Sequence, residues 1–98
     1  MSIPDKRTLI AAVLYGLAPQ KTTETRKGKQ ALSWADLPAG ERKPFITASE
    51  YLLGQSFGVD LPALDRAKLA ANFEEQKLID ANANTVVSVF VSVASALP

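Results

Sequence analysis

The 98-residue chain is long enough for one hydrophobic core and too short for two, so a single domain spanning 1–98 is expected. Its 11 Lys and Arg against 10 Asp and Glu leave a net charge of +1, so no molecule-wide field draws it to nucleic acid or to a membrane surface, and an electrostatic partner has to be met by a local patch. Histidine and cysteine are both absent, which excludes imidazole bases, thiolate nucleophiles, disulfides, and nitrogen or sulfur metal ligands.

In chain order, Leu9, Ile10, Val13, Leu14 and Leu17 recur at three- and four-residue spacing and predict a helix over about 4–17, with Pro4 and Asp5 in its first turn. The opening residues lack the pattern of a secretion signal, and a cytoplasmic protein is expected. The stretch Gln20 to Gln30 has no aliphatic or aromatic side chain and no period, so 19–31 reads as a mobile polar loop. Lys21, Arg26, Lys27 and Lys29 against Glu24 make it the most basic segment, a candidate for phosphate contact that Arg42 and Lys43 would extend.

Pro38 and Pro44 both suit helix beginnings, which predicts a turn near 38–42 leading into a helix that ends near 57. Phe45, Ala48 and Leu52 mark its core face, flanked by Ile46, Leu53 and Phe57, and Trp34 and Leu37 are positioned to fold back over its first turns as structural anchors. Gly58 suits a left-handed position, and Asp60 followed by Pro62 predicts a new helix over about 61–79. That helix would turn Leu61, Leu64, Ala67, Ala71, Leu78 and Ile79 inward, with Phe73 on the flank.

The tail is ambiguous. Val87, Val89, Val91 and Val93 alternate as a strand would, whereas Asn84, Ser88, Ser92 and Ser95 gather into one narrow helical stripe. A helix over 84–97 is the preferred reading, because a lone strand in a helical chain has nothing to pair with. Either form is apolar on most of its circumference and short of the roughly 20 residues a membrane span needs. Val86, Val89, Phe90, Val91, Val93 and Leu97 are therefore candidates for a contact with another protein or with copies of this chain.

The expected fold is thus all-α, a bundle of about four helices at roughly 4–17, 38–57, 61–79 and 84–97. The ten carboxylates are scattered, with no calcium-loop or paired-carboxylate spacing, and Gly28-Lys29 lacks the rest of a phosphate-cradling loop. No catalytic residue, metal site, cofactor or small-molecule substrate is expected, and the chain is read as a non-enzymatic interaction or assembly protein. Nucleic-acid binding through the basic loop is the alternative. A second alternative is an inhibitor of a host enzyme that presents Glu74 and Glu75.

The run Trp34-x-x-Leu37-Pro38-x-x-Glu41-Arg42-x-Pro44-Phe45-x-x-Ala48 resembles the start of the third helix of HMG-box domains over about fifteen residues. Those domains open with a basic, proline-containing strand, where this chain opens with a predicted helix, and their wedge residues have no counterpart here. The Trp-x-x-Leu-Pro-x-x-x-Arg pattern is also similar to one in small helical proteins encoded by bacteriophages. That resemblance implies a phage-encoded protein of the host cytoplasm or the virion, and it speaks to fold more than to activity.

Overall fold

The computed structural model describes residues 5–19 and 22–97. Helix α1 (Lys6–Tyr15) begins at Asp5, whose extended backbone and carboxylate cap the first turn by accepting from the Thr8 amide at 2.9 Å. Pro4, expected in that turn, lies outside the described residues. Ile10, Ala11, Leu14 and Tyr15 form the buried face, so the apolar stripe sits one residue away from the expected one and leaves Val13 exposed.

The polar segment expected as a loop is a β-hairpin, so the fold is predominantly helical and not purely all-α. Strand β1 (Thr22–Thr25) pairs antiparallel with β2 (Gly28–Ala31), with Thr22 opposite Ala31 and Glu24 opposite Lys29. The reason is local chemistry. Three β-branched threonines favour extended backbone, and Gly28 at φ 109° takes a conformation that a side chain would resist. Thr25 closes the turn, its hydroxyl donating to the Gly28 carbonyl at 2.8 Å and accepting from the Lys27 amide at 3.2 Å.

A 3-10 turn over Trp34–Asp36 leads into α2 (Ala39–Ser56), one continuous helix with Pro38 as its cap residue and Pro44 inside it. The separate turn expected at 38–42 is therefore the first turn of α2. Phe45, Ala48, Ser49 and Leu52 face the core. Ser49 is wholly buried, and its hydroxyl is satisfied by donating to the Ile46 carbonyl at 2.7 Å.

The helix expected over 61–79 is broken. Asp60 makes no side-chain cap, Leu61–Ala63 is a 3-10 turn, and Leu64 returns to extended backbone. Asp65 is the working cap, accepting from the Lys68 amide at 3.1 Å, so α3 spans Arg66–Gln76 and stops at Lys77 with φ 49°. Its buried face is Leu69, Ala70 and Phe73, while Ala67 and Ala71, expected inward, are exposed. Leu61, Leu64, Leu78 and Ile79 are half-buried.

Helix α4 (Ala83–Ala96) resolves the ambiguous tail in favour of helix, capped by Asn82, whose side chain accepts from the Thr85 amide at 3.1 Å. It packs on both α1 and α3, while α1 also packs on α2. Val86, Val87, Phe90 and Val91 lie in one core with Ile10, Leu14, Leu52 and Phe73. The exposed stripe of α4 is the polar one, Asn84, Ser88, Ser92 and Ser95. No helix among the described residues is long and apolar enough to cross a membrane.

Candidate interaction surfaces

The tail residues expected to meet a partner are mostly committed to this chain's own core. Val86, Phe90 and Val91 are buried, and Val89, Val93 and Leu97 are half-buried. The apolar circumference of α4 is absorbed because two helices, α1 and α3, flank it.

Two other features stand out from the globule. The first is the hairpin, in which all eight strand residues are exposed. The radius of gyration is 14.4 Å, against about 12.5 Å for a compact chain of this length, and the extents of 50 × 34 × 19 Å describe an elongated molecule. Arg26 and Lys27 form its tip, and Lys29 stands on β2 opposite Glu24. Lys21 lies outside the described residues. Because opposed residues share a face, Thr22, Glu24, Lys29 and Ala31 lie on one side and Thr23, Thr25 and Gln30 on the other.

The root of this arm is fixed by an aromatic triangle. Tyr15, Trp34 and Phe45 have centroids 5.4–6.2 Å apart, with Phe45 edge-on to both partners at 82° and 84°. The Tyr15 hydroxyl donates to the carbonyl of Leu32, immediately after β2. Leu37 and Phe45 are buried in the same core, and Trp34 packs against it half-buried. Arg42, a candidate for phosphate contact, belongs to this root: its guanidinium carbon lies 5.6 Å from the Trp34 ring centroid and Nη2 donates to the Ala35 carbonyl at 2.7 Å. Its buried Nε has no acceptor among the described residues. Arg42 therefore stands apart from Arg26 and Lys27 in role, and Lys43 is an exposed residue of α2.

The second feature went unread in the sequence. Phe57, expected on the core flank of α2, is 88% exposed, and Val59 beside it is 42% exposed. The helix ends at Ser56, Phe57 takes extended backbone at φ −61° and ψ 125°, and Gly58 turns the chain at φ 76°. Leaving the helical path one residue early swings Phe57 off the buried stripe. Towards the N-terminal end of α2 lies an apolar groove of about 230 Å³, walled by Ala18, Pro19, Pro44, Phe45, Leu78 and Ile79, with Glu41 and Asp80 also lining it.

The N-terminal cap of α1 carries a cluster of charged groups. The Thr8 amide above all, then its hydroxyl and Arg7, hold the Asp5 carboxyl below the ordinary aspartate range, and Asp5 with Glu50 raises Arg7. Arg7 lies 3.2 Å from both carboxylates, at exposed sites where such pairs contribute little. Glu74 and Glu75 are exposed on α3. No group of three or more acidic residues able to hold a metal occurs among the described residues. No protein-family model, curated protein or solved structure matches the chain.

Proposed function

We propose that this chain is a non-enzymatic interaction and assembly protein whose protein-binding contact is the connection after α2, centred on Phe57. The observation that carries this reading is the 88% exposure of Phe57 beside a half-exposed Val59. An aromatic ring held in water is unfavourable for the isolated molecule, and aromatic anchors seated in a partner's pocket dominate protein interfaces. Because Val86, Val87 and Val91 are buried and Val89 and Val93 half-buried, the contact is assigned to this connection rather than to the C-terminal helix.

The partner is another protein or a second copy. A second copy offers a matching recess, since the apolar groove by Pro44 and Phe45 lies towards the far end of the same helix. A knob and a socket at opposite ends make a head-to-tail contact, which builds rings or filaments. A phage-encoded origin belongs to the same reading, because the length and the Trp-x-x-Leu-Pro-x-x-x-Arg helix start resemble those of small phage-encoded helical proteins.

Sedimentation of wild type and Phe57→Ser across a micromolar to submillimolar range tests the self-association form. Wild-type association that Phe57→Ser abolishes, with both proteins equally stable, supports it. A partner profile, homotypic or from native extract, that is identical for wild type and Phe57→Ser refutes the reading.

A further inference from the structure

We propose that the β1–β2 hairpin is a DNA-binding arm that enters the major groove of a B-form duplex. It lies apart from the Phe57 surface and goes beyond the protein-contact reading. Three observations carry it.

The first is shape. A two-stranded ribbon with its strands about 4.8 Å apart fits a major groove about 12 Å wide, and four residues of strand span about 13 Å, more than the groove's depth of about 8.5 Å. The tip therefore reaches the base edges while the root stays outside the helix. That root is held in place by the Tyr15 hydroxyl on the Leu32 carbonyl and by the Tyr15–Trp34–Phe45 cluster. An isolated hairpin is only marginally ordered in water, so this anchorage is what presents the ribbon as one unit.

The second is charge. Arg26 and Lys27 occupy the tip and Lys29 follows on β2, with Glu24 as the one carboxylate on the strands. The third is the absence of an apolar anchor. Apart from Ala31, the described arm is built of Thr, Glu, Arg, Lys, Gly and Gln. A protein interface needs aromatic or aliphatic groups at its centre and is depleted in lysine, whereas a nucleic-acid interface is polar and positively charged. The uncharged face, with Thr23, Thr25 and Gln30, supplies hydroxyl and amide groups that hydrogen-bond base edges or sugars. The narrow major groove of A-form RNA would not admit the ribbon, so a DNA duplex is the partner that fits.

The test is fluorescence anisotropy of the full chain with a mixed-sequence DNA duplex of about 20 base pairs, titrated between about 50 and 200 mM salt. Three cations give a slope of about −2.7 in log K against log salt, which is about a 40-fold loss over that range. The double variant Arg26→Glu/Lys27→Glu should bind at least tenfold more weakly, with an unchanged melting temperature because neither residue belongs to the core. Arg66→Glu/Lys68→Glu makes the same net charge change on α3 and should keep the wild-type slope. No retention of the duplex at the lower salt overturns the proposal, as does equal weakening by both double variants. Binding of an acidic polypeptide but not the duplex, lost in the arm variant, would assign the arm to a protein partner and likewise overturn it. None of these results bears on the Phe57 contact, which the sedimentation experiment reads separately.

Discussion

The same truncation at two phenylalanines separates core from surface. Phe90 is fully buried among α1, α3 and α4, whereas Phe57 is 88% exposed. Removing the Phe90 ring forfeits a transfer free energy of about 1.5–3 kcal/mol and leaves a cavity among helices that can only partly collapse. Phe90→Ala should therefore cost about 3–5 kcal/mol, a large share of the roughly 5–15 kcal/mol that holds a domain of this size together. With a shift of about 4–8 °C per kcal/mol, its melting temperature should fall by more than about 12 °C. Phe57→Ala removes a ring that the folded monomer leaves in water, so its effect should stay within about 0.5 kcal/mol. Urea unfolding followed by helical circular dichroism measures both. Equal costs at the two positions, or a Phe90→Ala cost below about 1 kcal/mol, would refute the assignment of α4 to the core and of Phe57 to the surface.

Tyr15→Phe keeps the ring cluster but removes the donor to the Leu32 carbonyl, and should cost about 0.5–1.5 kcal/mol; hydrogen exchange should show faster amides in β1 and β2 than in wild type. Asp65→Ala should cost about 1 kcal/mol through loss of the α3 cap, whereas Asp60→Ala, at a position without a side-chain cap, should leave the urea midpoint nearly unchanged. The Asp5 carboxyl titrates lower in the folded state than in the unfolded chain, so its contribution to α1 is complete above the ordinary aspartate value and is lost as pH falls through the depressed one. The Thr8 amide resonance should therefore move in acid below the ordinary aspartate range, and Asp5→Asn, which keeps a capping oxygen but does not titrate, should abolish that movement.

Helical periodicity was legible wherever one face of a segment is buried, which is why α1, α2 and α4 emerge near their observed bounds. Boundaries set by a single hydrogen bond were not. Asp60 and Asp65 both have cap chemistry five residues apart, and only the geometry around Lys68 decides between them. The error rotated the expected face of α3 and placed Ala67 and Ala71 inward instead of Leu69 and Ala70. The hairpin was illegible for a different reason. Strands are recognised by alternation of apolar and polar residues, and a ribbon exposed on both faces has none. The remaining signal was Thr22, Thr23 and Thr25 ahead of a two-residue turn closed by Gly28, a turn without the Asn-Gly or Asp-Gly pair that marks tighter hairpins.

The candidate contacts were harder to find, because an apolar sequence does not say which neighbour covers it. The sequence of the valine-rich tail is apolar on most of a helical circumference, which predicts more apolar surface than a small core absorbs. Two helices flank it in the fold, and the four polar residues Asn84, Ser88, Ser92 and Ser95 suffice to face water. Phe57 follows the opposite course, since its spacing from Leu53 places it on a helical face that the chain leaves one residue too soon. Burial of a strongly apolar element thus removes it from the surface, while a residue at a helix terminus is released to it. In this molecule, the exposed features on which the two proposals rest therefore lie where regular structure ends: at the turn of an arm whose strand residues are all exposed, and at the connection between α2 and α3.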